Sequence, residues 1–207
     1  MKLLTLKSRN KNQIINNFLK EQPHKYKIVI AGNHDLTFDT ENYPFILKAK
    51  EEKKKPNFPL KEHKNLNLFN PKELLSEAIY LEDSWVEING LKFYGSPWSP
   101  ARSLTAFKLK RGPKIAKKWE QIPENIDVLI THTPPYGILD LSKTGDNAGC
   151  EDLTREIFGR IKPKAHIFGH IHDSHGYTEK NGIKFVNASS LNKKEATFFD
   201  PIVITLN

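Results

Sequence analysis

Hydrophobic residues along this chain come in short runs, and three of those runs end alike. Tyr26-Lys27-Ile28-Val29-Ile30-Ala31 leads into Gly32-Asn33-His34-Asp35. Asp127-Val128-Leu129-Ile130 leads into Thr131-His132-Thr133-Pro134-Pro135, and Ala165-His166-Ile167-Phe168 into Gly169-His170-Ile171-His172. Short apolar runs bounded by turn-forming residues read as buried strands. Elsewhere the spacing is helical: Ile14, Ile15, Phe18 and Leu19 predict an amphipathic helix over 10–21, stopped by Pro23. Residues 36–70 are polar and broken by Pro44, Pro56 and Pro59, so irregular backbone is expected there, with a short helix at 43–51. A brief helical turn follows at 71–75, then strands at 78–81, 84–88 and 91–94, the last two joined by an Asn89-Gly90 hairpin turn. Helices are expected over 112–121 and over 149–161, where Glu151 and Asp152 complement the dipole of the first turn. Asn181-Gly182 turns the chain into a strand at 183–188, and 201–206 reads as a last strand. Nothing divides the chain, so a single domain is expected over 1–207.

A helix between the second and third histidine-bearing strands implies a mixed α/β sheet in which these strands run parallel. Ligands of such sheets bind beyond the carboxyl ends of the strands, so the three polar loops are expected to converge on one edge. Within the third loop, side chains of an extended backbone repeat every two residues, which puts His170 and His172 on the same side. Gly169 is expected to supply the tight turn out of the strand.

Composition narrows the class. The hydrophobic share of 38% over 207 residues allows one sizeable core under a heavily charged surface. The single cysteine, Cys150, excludes an internal disulfide and fits a reducing compartment. No apolar run reaches the length of a membrane span, and the first residues lack the apolar stretch of a secretory signal, so a soluble cytoplasmic protein is expected. The net charge of +8 permits a polyanion partner. Its lysines cluster at 48–55 and 108–118 without interleaved aromatics, so no dedicated nucleic-acid surface is expected.

The loop residues favour a metal. Imidazole nitrogens with an amide oxygen suit manganese, iron, zinc or nickel better than calcium, and the absence of thiolates argues against a structural zinc site. Residue by residue, a bland alternative stands: Asn33 capping its turn, His132 packing beside two prolines. Gly32-Asn33-His34-Asp35, Thr131-His132 and Gly169-His170-Ile171-His172 together resemble the last three of five motifs of the calcineurin-like metallophosphoesterases. The surrounding text, including Gly95-Ser96-Pro97-Trp98, His132-Thr133-Pro134-Pro135 and Val186-Asn187-Ala188-Ser189, is similar to the branch of the metallophosphoesterase-domain (MPPED-type) phosphodiesterases.

That resemblance implies a sandwich of two mixed β-sheets flanked by helices and a two-metal hydrolysis of phosphodiesters, cyclic nucleotides among them. It implies Asn33, His132 and His170 on one ion and His172 on the other. His34 would lie near the phosphate as proton donor, with Asp35 orienting its imidazole. Trp98 is a candidate to stack on a ring of the substrate, the alternative being that it packs against the core. Arg102 is a weaker candidate for a phosphate, and Asn187 for supporting the histidine loop.

The chain departs from the pattern in one respect. The family's first two motifs, Asp-x-His and Gly-Asp, supply the bridging carboxylate, and no aspartate precedes Asn33; Leu3 aligns where the bridging residue belongs. The chain therefore reads as shortened at its N-terminus, with the first metal's ligands reduced to His172 and activity impaired. Asp140, Asp146 and Asp173 are remote substitutes. The competing reading is a non-catalytic relative that binds a metal or a nucleotide.

Overall fold

The computed structural model describes residues 8–52, 71–100, 104–192 and 197–206; Leu3, Arg102 and Lys53 to Lys55 lie outside them. In chain order the first elements are α1 (Ser8–Glu21), β1 (Ile28–Val29), α2 (Tyr43–Glu52), a 3-10 turn (Pro71–Leu74), β2 (Ile79–Tyr80), β3 (Ser84–Ile88) and β4 (Leu91–Ser96). There follow β5 (Ser99–Pro100), β6 (Lys108–Leu109), α3 (Pro113–Trp119), β7 (Val128–Thr131), α4 (Glu151–Glu156) with a π-turn (Ile157–Ile161), and β8 (Ala165–Phe168). The last are a 3-10 turn (His172–Ser174), β9 (Gly176–Lys180), β10 (Ile183–Asn187), β11 (Leu191–Asn192) and β12 (Thr197–Phe198).

Six strands form a mixed sheet in the order β3-β4-β7-β8-β10-β9. The four inner strands run parallel, and β3 and β9 are antiparallel edges. Each edge is made by a hairpin whose Asn-Gly pair takes left-handed backbone at both positions: φ is 53° and 78° at Asn89-Gly90, and 54° and 75° at Asn181-Gly182. This is the turn whose twist matches that of the paired strands.

One face of the sheet carries the helices. Tyr94, Leu129 and Phe185 join a buried cluster with Ile115, Trp119, Leu153 and Ile157. Arg160 stitches α3 to α4: its guanidinium donates to the carbonyls of Ile122 at 2.6 Å and Trp119 at 3.1 Å while pairing with Glu156 at 2.8 Å. The carbonyl of Trp119 ends α3 and that of Ile122 lies in the turn beyond it, and a fixed cationic fork bonds both. On the other face, Gly95 of β4 lets a second layer approach. A Cβ there would lie 2.7 Å from Cγ2 of Ile30 and collide with Leu81. That layer contains the parallel pair β1-β2.

Three expectations need correction. The three histidine-bearing strands do not share one sheet: β7 and β8 are neighbours, but β1 pairs with β2 in the other layer. The strand expected over 26–31 makes ladder bonds only at Ile28–Val29. The strand expected over 201–206 does not form. That segment joins no strand among the described residues, Pro201 offers no N–H, and a gap of about 410 Å³ lined by Tyr177, Lys184 and Ile202 to Thr205 separates it from β9 and β10. No helix among the described residues is long and apolar enough to cross a membrane.

The contact between layers yields a prediction. Gly95→Ala drives a methyl into Ile30 and Leu81 and lowers stability by about 1–3 kcal/mol, the ordinary cost of overpacking. Urea unfolding should show it as a reduced midpoint with an unchanged slope.

Candidate metal centre

The carboxyl ends of β7 and β8 are level, because Val128 pairs with Ala165 and Ile130 with Ile167. The chains stay in register one step beyond the ladder: the N–H of His132 donates to the carbonyl of Ser96 at 3.1 Å, and the N–H of Gly169 donates to the carbonyl of His132 at 3.3 Å. His132 is thus held by its backbone between β4 and β8. The His132 and His170 rings meet edge to face, with centroids 4.6 Å apart.

The third loop reaches this point from the other layer. Nε2 of His132 lies 2.8 Å from Oδ1 of Asn33, and because that oxygen only accepts, the imidazole is protonated at Nε2 in the metal-free protein. Gly32 is required here, since a Cβ would stand 2.6 Å from Cε1 and Nδ1 of the His132 ring. Asp35 closes the turn: its Oδ2 accepts the N–H of Gly32 at 2.9 Å, and its own N–H donates to the Gly32 carbonyl at 3.0 Å. This carboxylate therefore shapes the loop that carries Asn33 and His34, a use the sequence did not suggest. His34 is exposed on the same turn.

Electrostatics identify the histidines as one group. The pKa of His132 is lowered to about 3, chiefly by burial and then by the neighbouring His170, His34 and His172 in that order. A neutral imidazole is the form that binds a metal. His172 is half-buried, and its Nδ1 lies 2.8 Å from the carbonyl of Leu191, which fixes the proton on Nδ1 and leaves Nε2 with a lone pair.

Several residues are not where the sequence pointed. Trp98 is 8% exposed, in the core against Phe107, with Nε1 donating to Asp83 at 2.8 Å and the Lys118 ammonium 4.5 Å from the ring centre. With its edge bonded and its faces covered, it does not offer a stacking surface. Gly169 is not the tight turn; a Cβ there would make ordinary contacts, and the left-handed residue is His170, with φ of 71°. Asp140 is buried and accepts the N–H groups of Gly137 and Gly149 at 3.1 and 2.9 Å, so it shapes its own loop. Asp146 accepts the hydroxyl of Thr144.

Sequence reading overlooked His166. It is fully buried on β8, with Nε2 2.7 Å from the hydroxyl of Thr131, which itself donates to the carbonyl of Thr133 at 2.7 Å. The hydroxyl has one proton, so His166 donates to it from Nε2, and Nδ1 has no partner. The chain His166–Thr131–Thr133 brackets His132. A histidine inside an apolar run was the available signal.

Over residues 7–174 the chain matches the family model described as calcineurin-like phosphoesterase. It belongs to that family. It is 40% identical over 197 residues to a UPF0046 protein of Caenorhabditis elegans, covering 89% of this chain and 49% of that protein. It is also 41% identical over 193 residues to human metallophosphoesterase domain-containing protein 1, covering 92% of this chain and 58% of the relative. A second UPF0046 protein of C. elegans is 39% identical over 188 residues, 89% of this chain and 63% of its own length. The chain thus spans about half to three-fifths of the length of these relatives.

Calcineurin-like phosphoesterases use divalent metal ions. Whether the residues present fit such ions has two answers. Asn33 Oδ1 and His132 Nε2 are joined by a hydrogen bond of 2.8 Å, and the His170 ring stands beside His132; these are the residues that would hold one ion, with the Nε2 proton moved to Nδ1. For a second ion, His172 is the one candidate ligand the sequence offered, and among the described residues no group of three His, Cys, Asp or Glu side chains that could hold a metal forms.

The neutral histidines set an acid dependence. His132 and His166 both have folded pKa values lowered to about 3 by burial, against roughly 6.5 when unfolded. The unfolded chain binds more protons between these values, so this share of stability is complete above pH ~6.5 and is lost as pH falls toward 3. The urea midpoint of the metal-free protein should decline through that window, and His166→Gln, which keeps an Nε donor, should flatten the decline.

Proposed function

We propose that this chain is the histidine-bearing part of a metal-dependent phosphodiesterase centre, and that Asn33, His132 and His170 hold one divalent transition ion, manganese, iron, zinc or nickel. The observation that carries this reading is the convergence of Asn33 from one layer with His132 and His170 from the other. A bound ion would polarise the phosphoryl oxygen and lower the pKa of a water. His132, already neutral, has no charge to shed before ligating. His172, its Nδ1 bound to Leu191, would offer Nε2 to a second ion that a bridging carboxylate must help to hold. His34, exposed on its turn, would donate a proton to the leaving oxygen of a small phosphodiester, a cyclic nucleotide being within the class. Asp35 serves by shaping that turn. The reading places the protein in the cytoplasm, in keeping with the unpaired, buried Cys150.

A specific observation supports a second reading. Among the described residues no group of three His, Cys, Asp or Glu side chains that could hold a metal forms, and on this reading the chain would bind a metal or a nucleotide without turnover. Both readings expect weak hydrolysis from these 207 residues.

Metal content after manganese loading and desalting decides. The expected result is one equivalent per chain or less, lost in His170→Ala, with hydrolysis of bis(p-nitrophenyl) phosphate near background. Close to two equivalents with rapid hydrolysis would overturn the single-ion account.

A further inference from the structure

His170 is held in a backbone conformation that histidine rarely adopts. Its φ is 71°, and across it the N–H of Ile171 donates to the carbonyl of Gly169 at 2.8 Å. A three-residue turn closed by such a bond around a positive φ is the rare and strained form of the γ-turn. Strain of this kind persists only where the surroundings over-determine it.

One amide makes three bonds around this turn. Asn187 ends β10 and is fully buried. Its Nδ2 donates to the carbonyl of Ile171 at 2.8 Å and to that of Leu139 at 2.9 Å, and its Oδ1 accepts the N–H of Ser189 at 3.1 Å. Just beyond it, the N–H of Ala188 donates to the carbonyl of Phe168 at 2.6 Å, so β10 stays fastened to β8 up to the turn. The Ile171 carbonyl lies between His170 and His172, so pinning it fixes the backbone that aims both imidazoles.

From this geometry we infer that Asn187 is a positioning residue: it clamps the strained turn at His170 and thereby aims that imidazole at His132 and Asn33. Only a side chain with two donors and an acceptor in one plane makes these three bonds. Aspartate at this site would set carboxylate oxygens against two carbonyls. The purpose of the clamp, though not its existence, rests on the metal reading above.

Thermal unfolding of four metal-free variants of the full chain tests the clamp: His170→Gly and His170→Ala, each with and without Asn187→Asp. Glycine accepts a positive φ and alanine does not, so the difference in Tm between the two substitutions at 170 measures the strain. With Asn187 present, the glycine variant should melt higher by about 2–4 °C. With Asn187→Asp the turn relaxes, and the difference should vanish. An equal difference in both backgrounds overturns the clamp. If Asn187→Asp does not fold, Asn187→Ser replaces it in the same comparison. Calorimetric titration with Zn²⁺ tests the aim: Asn187→Asp should weaken zinc binding roughly 10–100-fold. Unchanged zinc affinity overturns the aiming role. A chain with Asn187 intact that binds no zinc overturns the metal reading, and the melting comparison still decides the clamp.

Discussion

The pairing of β7 with β8 is the constraint on which the site depends. Parallel strands carry their ends on the same side, and the register of these two leaves His132 level with Gly169, one residue before His170. Two main-chain bonds then continue the ladder past the strands, from His132 to Ser96 and from Gly169 to His132. Side chains placed by backbone hydrogen bonds inherit the rigidity of the sheet, which is what a ligand set requires. The helical face of the sheet buries Trp119, Leu153 and Phe185 and keeps that frame from shearing. Arg160, bridging the ends of two helices, closes the same frame from behind.

The site is assembled from imidazoles and one amide. Burial first, then His170, His34 and His172, disfavour charge on the imidazole of His132. Proton loss and close approach of like rings reinforce each other, since each imidazole disfavours charge on the next. The neighbours that shift His132 are histidines, and a pair of divalent ions held close together would need anionic ligands as well.

The elements were largely readable from the chain, because periodicity and turn chemistry are local. Asn89-Gly90 and Asn181-Gly182 announced their hairpins, and the amphipathic residues 14–19 announced α1. The three loops were found from their histidines, and their order identified the family. What sequence could not give was layer membership: nothing in Ile28-Val29 distinguishes a strand of the large sheet from one packed across it. Trp98 was left open between a stacking role and the core for a similar reason, since its burial is decided by Asp83 and Lys118, distant in sequence. The positive φ of His170 was equally hidden, because a glycine stands next to it and the simpler expectation put the turn there. The segment 201–206 had the composition of a strand, yet a gap separates it from β9 and β10.

Asn33 and His132 are 99 positions apart and belong to different layers, yet their donor atoms lie 2.8 Å from each other. A chain with only the large sheet formed has His132 and His170 but not the amide, and a chain with only the β1 turn formed has neither imidazole. The full set of donors therefore exists only after the layers have docked. An ion bound there would act as a rivet through the sandwich, and its uptake would report complete tertiary assembly. Partly folded chains would stay metal-poor, and ion binding would draw the folding equilibrium toward the docked form.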